Sequence, residues 1–127
     1  MDKVAIVTGL LLLQYFVFMM LVGVARGKSG VQAPAISGDP VFERTLRVQQ
    51  NTLEQLLIVL PAMWIFATYF GESIAAGLGL VFFVGRILYY RGYVAEPGKR
   101  GMGFGVGFLA TIALLLGSLG GAVMAIL

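Results

Sequence analysis

Four arginines, two carboxamides, one glutamate and two tyrosines stand at spacings suited to a small ligand bearing charges of both signs. Arg47, Asn51 and Glu54 fall at i, i+4 and i+7, on one face of a helix. Arg86, Tyr89 and Tyr93 fall at i, i+3 and i+7 and share a second face. Arg100 follows Pro97-Gly98, where a new helix would begin. A helix N-terminus offers free N–H groups and a positive dipole end to an anion. Arg26 and Gln49 add a further cation and amide. Such a set can hold carboxylates on its guanidinium groups and an amine on Glu54. It supplies neither a thiol nucleophile nor an imidazole base, because the chain has no Cys and no His. A Cys/His metal site is excluded on the same ground.

Each of these residues also has a plainer explanation. Glu43, Arg44 and Arg47 suit a solvated, salt-bridged helix end, with Glu43 pairing to Arg47. Glu54 suits it poorly, because uncharged residues run from Leu56 to Phe70. An ionisable group at membrane depth costs about 2.5–3.5 kcal/mol on insertion scales unless partnered. Tyr89 and Tyr93 fit either an interfacial aromatic belt or a site, whereas Tyr90 and Arg91 suit the belt. Arg86 lies deeper and is expected to pair with acidic or amide groups of the second helix. For Arg100, plain loop charge competes with anion binding.

The elements that must position these groups are set by composition. The chain has 127 residues, 59% hydrophobic and only 12% charged, with mean hydropathy +0.93. Soluble domains are about 45–50% apolar and about 25% charged. An ordinary soluble domain, a disordered segment and a disulfide scaffold are therefore excluded. A membrane-crossing helix needs about 20 apolar residues. Four segments qualify: Val4 to Ala25, a second whose apolar part is Leu56 to Phe70 with a polar preface from Asp39, Ser73 to Tyr93, and Met102 to Leu127. The expectation is an all-α integral membrane protein, a four-transmembrane-helix bundle forming one domain over residues 1–127. The first segment exceeds a signal-peptide h-region and no A-x-A site follows it, so it is read as a retained helix.

Gly27 to Gly38 reads as a polar loop, Asp39-Pro40 as a helix start, Gly71-Glu72 as a tight turn and Pro97-Gly98 as a break. Gly103/Gly107 and Gly117/Gly121 are GxxxG spacings that permit close packing without naming a partner. Arg26, Lys28, Arg44, Arg47, Arg91, Lys99 and Arg100 fall on one side, and only Lys3 on the other. That asymmetry predicts loops one and three in the cytoplasm and both termini opposite. The short chain suits a bacterial inner membrane. Four short helices cannot readily surround so many polar groups, so an oligomer with its site between subunits is expected. Its ligand would be of mixed character, with an apolar co-substrate reached from lipid. No nucleic-acid partner is expected.

The run Phe42-Glu43-Arg44-Thr45-Leu46-Arg47-Val48-Gln49-Gln50-Asn51-Thr52-Leu53-Glu54 resembles the signature of the MAPEG family, the membrane-associated proteins in eicosanoid and glutathione metabolism. Gly79-Leu80-Val81, Gly85-Arg86, Tyr89, Gly92-Tyr93 and Arg100 extend the match. The glutathione transferase and leukotriene C4 synthase branch looks most similar. The resemblance implies a homotrimer with one glutathione at each interface. It implies that Arg47, Asn51, Glu54, Tyr89, Tyr93 and Arg100 contact glutathione from one subunit, and Arg26 and Gln49 from its neighbour. Arg100 matches the arginine that stabilises the thiolate, the one catalytic residue expected. Glutathione, as co-substrate, would bring the nucleophile the chain lacks.

Three departures stand out. Gln55 replaces a tyrosine found in several members, and Val48 replaces the usual alanine. Gly27 follows Arg26 where some synthases carry a second arginine. The last weakens an epoxide-opening synthase. The leading expectation is a membrane glutathione S-transferase acting on hydrophobic electrophiles, with lipid hydroperoxide reduction as a second activity. The alternatives are a non-catalytic lipid-binding member of the fold and a small multidrug transporter. The transporter needs an acid in the first helix, where Gln14 is the one strongly polar group.

Overall fold

A computed structural model describes the backbone of residues 1–127 and every side chain except that of Pro97. Its four long helices run α1 Asp2–Ser29, α2 Pro40–Phe70, α3 Glu72–Ala95 and α4 Gly101–Ile126, with a 3₁₀ turn Pro97–Arg100 before the last. All four are long and apolar enough to cross a membrane.

Local chemistry explains the boundaries. α1 continues four residues past the expected Ala25, so Arg26 and Lys28 belong to its last turn. Cations there favour the negative end of the helix dipole. Gly30, at φ 76°, ends the helix by donating its N–H to the Arg26 carbonyl at 3.0 Å. The expected start of α2 is present: Asp39 is the N-cap, Pro40 follows, and the Asp39 carboxylate accepts from Phe42 N at 3.0 Å. Glu43 does not pair with Arg47. Its Oε2 accepts from Gly38 N at 3.2 Å, so both acids of this first turn satisfy backbone donors and Arg47 is left to the surface.

The connections make consecutive helices antiparallel, and this gathers most of the candidate site residues at one end. One end of the bundle holds the end of α1, the start of α2, the end of α3 and the start of α4, with all seven expected cations. At the other end Lys3 donates to Ser73 Oγ at 2.8 Å. A dry core of Val7 and Leu11 from α1, Val59 and Met63 from α2, Phe82 and Leu114 joins the four helices. A smaller cluster of Phe18, Val48, Tyr89 and Tyr93 lies toward the cationic end. Large apolar side chains also cover the outside; Leu57 and Leu109 are 70% and 69% exposed. Hydrocarbon tolerates such a surface and water does not.

The glycine spacings of α4 are used within the chain. Gly103 lies against the α3 backbone at Tyr89, where any Cβ would collide, and Gly117 lies against the Phe66 ring. The first contact draws the start of α4 onto α3. Gly92 likewise leaves no room for a side chain beside the Lys99 carbonyl, so the 3₁₀ turn folds back on the end of α3.

Candidate functional site

That back-folding brings Arg100 over Tyr93, with the guanidinium carbon 5.7 Å from the ring centroid. Tyr93 stacks on Tyr89 at 5.5 Å and 8° between ring planes, as expected of aromatics one turn apart. Both rings are buried, whereas Arg91 is exposed. Two adjoining cavities meet at Arg100. One, of about 360 Å³, is lined by Asn51, Tyr89, Arg100, Gly101 and Phe104. The other, of about 330 Å³, is lined by Pro40, Glu43, Arg44, Arg47, Tyr93 and Arg100. Arg44 also donates to the Val94 carbonyl at 3.4 Å, tying the start of α2 to the end of α3.

Asn51 is held from behind. Arg86 Nη2 donates to Asn51 Oδ1 at 2.9 Å and to Thr52 Oγ1 at 3.0 Å. The guanidinium carbon lies 4.2 Å from the Tyr89 ring centroid. The expected pairing of Arg86 with α2 is thus to an amide and a hydroxyl, with no carboxylate partner among the described residues.

Arg47, Asn51, Tyr89, Tyr93 and Arg100 therefore line two cavities that share Arg100. Glu54 shares their side of α2, but it is exposed, lines neither cavity and has no ion pair among the described residues. Arg26 and Gln49 do not join this cluster. Gln49 Nε2 donates to the Tyr15 hydroxyl of α1 at 3.0 Å. Arg26 donates to the Ala35 carbonyl at 2.7 Å and lies 4.6 Å from the Phe42 ring centroid. Gln49 and Asn51 are two residues apart, so the helix turns them roughly 160° from each other.

The arrangement can bind anions. Guanidinium groups at an open cavity mouth suit carboxylates, and a cation beside a thiol favours the thiolate. Comparison with known proteins decides the lineage. Residues 4–120 match the family model described as the MAPEG family. The chain belongs to the MAPEG family. With four helices able to cross a membrane, this MAPEG protein is a multi-pass integral membrane protein.

Its relatives fall in the branch its motifs resemble. It is 44% identical to microsomal glutathione S-transferase 2 of Homo sapiens over 105 residues, covering 81% of this chain and 71% of that one. It is 34% identical to leukotriene C4 synthase of Bos taurus over 104 residues, covering 78% and 68%. An uncharacterized protein of Synechocystis sp. is 49% identical over 115 residues, covering 91% and 84%.

Reading the sequence of this MAPEG protein alone missed three participants. Thr52 and Tyr15 anchor Arg86 and Gln49. Thr52 carried a usable signal, since it is a hydroxyl next to Asn51 on a helix of membrane length. Phe104 closes the cavity beside Tyr89, and one Phe in an apolar helix carries no such signal. Gln14, weighed as a transport group, donates to the Phe83 carbonyl at 2.9 Å and ties α1 to α3.

Proposed function

We propose that this protein is a glutathione S-transferase that joins glutathione to hydrophobic electrophiles. The observation that carries the reading is the cavity pair walled by Arg47, Asn51, Tyr89, Tyr93 and Arg100, in a family whose related members are named for glutathione transfer and leukotriene C4 synthesis.

Glutathione carries two carboxylates, one amine and one thiol. In this reading Arg47 and Arg26 take carboxylates and Glu54 takes the amine. Asn51, Gln49 and the two tyrosines hold the peptide between them. Arg100 faces the sulfur. A free thiol titrates near 8.5, so only a few per cent is thiolate at neutral pH, and each unit of depression is worth about 1.4 kcal/mol. Arg100 lowers the thiol's pKa as a fixed cation and takes no proton, which passes to solvent. The thiolate sulfur then bonds to the electrophilic carbon, and the leaving group departs with that carbon's former bonding pair. With a lipid hydroperoxide, two glutathiones would instead become the disulfide while the hydroperoxide yields an alcohol and water.

The two faces of α2 support an assembly. Arg26 and Gln49 stand on the α1 side, away from Arg100, so one chain does not present all eight groups to one molecule. A homotrimer, each site made by two neighbouring subunits, joins the two sets. It also covers Glu54, whose carboxylate would otherwise face lipid. The cationic end lies on the cytoplasmic side of a bacterial inner membrane, as the positive-inside asymmetry favours.

The test is an ultraviolet difference spectrum of the purified protein on adding glutathione near neutral pH. A thiolate band lost in Arg100→Ala is expected. Binding without a band would leave activation to the second substrate. Absence of binding by calorimetry would sink the reading in favour of a lipid-binding member of the family.

A further inference from the structure

Arg86 is the largest side chain shut away in the bundle, only 2% exposed, and it meets no acid among the described residues. A dry guanidinium without a counter-charge is costly. A methionine would fill the same space at no electrostatic cost. The bonding of Arg86 indicates what the charge does there.

Nη2 carries two hydrogens. One goes to Thr52 Oγ1, whose own hydroxyl is committed to the Val48 carbonyl at 2.6 Å. Thr52 can therefore only accept from Arg86. The other hydrogen goes to Asn51. A guanidinium has no acceptor, so the Asn51 atom facing it must be the carbonyl oxygen. That removes the usual two-fold ambiguity of a carboxamide. With Oδ1 turned to Arg86, Nδ2 is the polar atom of Asn51 left for the cavity that Asn51 lines beside Tyr89 and Arg100. Asn51 donates no hydrogen bond to any described group, so both Nδ2 hydrogens are free for a ligand. The Tyr89 ring, 4.2 Å from the guanidinium carbon, fixes the plane from which Nη2 points.

We infer that Arg86 is a positioning residue: it locks the Asn51 carboxamide in the one orientation that presents N–H donors to the glutathione site. The inference rests on the glutathione reading above. A neutral donor–acceptor pair at position 86 would let the amide flip and offer an acceptor to an anionic ligand. Arginine cannot.

The experiment is a set of calorimetric glutathione titrations on the purified full-length protein, with thermal unfolding followed in parallel. Arg86→Met and Asn51→Ala should each weaken glutathione binding about ten-fold, the scale of one hydrogen bond to a charged group. Arg86→Met/Asn51→Ala should be no weaker than Asn51→Ala, because the arginine acts through the amide. Arg86→Lys, which keeps a charged donor, should recover most of the loss. Asn51→Asp decides the matter if Arg86→Met does not fold. It places a carboxylate on Arg86, so thermal stability should hold or rise while glutathione binding falls. Losses that multiply in the double variant, or wild-type affinity in Arg86→Met or Asn51→Asp, would overturn the inference with the glutathione reading intact. No glutathione heat from the wild-type protein would take down both.

Discussion

α2 meets an ionisable group on its inner flank, where Arg86 of α3 packs against it, and carries others on the outer flank open to the surface, with Asn51 at the border of the two, and it treats them in opposite ways. On the inner flank Asn51 and Thr52 accept from Arg86, and a tyrosine ring lies against the guanidinium. On the outer flank Arg47 and Glu54 stand exposed. Glu54 lies about 21 Å along the helix from Pro40 at 1.5 Å per residue, where the apolar half of α2 begins. The chain bonds one flank by its own packing and leaves the other open. Polar groups at membrane depth are therefore not equivalent signals. A buried one bonded within the chain positions the structure, and an exposed one points to something that must still arrive.

The largest expected effect breaks the outer flank at its chemical centre. Arg100→Ala should lower conjugation by about a hundred-fold or more, the usual loss when one stabiliser of a reacting anion is removed. Because Arg100 is exposed, the unfolding temperature should barely move. A parallel measurement of rate and thermal melt tells the two apart.

Gly103→Leu strikes the close packing beneath the inner flank. The new side chain meets the Tyr89 backbone, which cannot yield as a side chain can. A loss of at least about 1–3 kcal/mol is expected, read as a lower melting temperature in detergent. Glutathione affinity should fall with it as Arg100 swings away from Tyr93.

Glu54→Gln sharpens the contrast most directly. It keeps shape and removes charge, so glutathione should bind about ten-fold more weakly while the fold of the chain is unchanged. An equal loss of thermal stability would mean that Glu54 belongs to the inner kind after all.

The smallest effect is expected at the opposite end of the bundle. Lys3→Ala removes an exposed hydrogen bond to Ser73; stability should stay within about 0.5 kcal/mol and the rate should not change. A clear fall in rate there would show that the cationic end is not the only functional region.

Much of this was legible beforehand because membranes make strict demands on sequence. Hydrocarbon requires long uncharged runs, so all four helices could be read from composition and length, as could the start of α2 from Asp39-Pro40. The i, i+4, i+7 spacings put Arg47, Asn51 and Glu54 on one face because helix geometry is local. The deep position of Arg86 and its attachment to α2 followed from a lone charge in an apolar run. What local rules did not reach was the choice among available partners. Glu43 had Arg47 one turn away and bonded Gly38 instead. Gln49 found Tyr15, a residue 34 positions distant, and Arg26 settled on Phe42 and Ala35.

The sequence by itself determined where polar groups occur and at what depth, since backbone periodicity and the insolubility of charge in hydrocarbon act residue by residue. The tertiary structure alone decided which of those groups share one cavity. That depended on how closely α4 could approach α3 at Gly103, how the 3₁₀ turn could fold back past Gly92 to set Arg100 over Tyr93, and which side of α2 received α1. These are packing outcomes between distant segments, and no spacing along the chain encodes them.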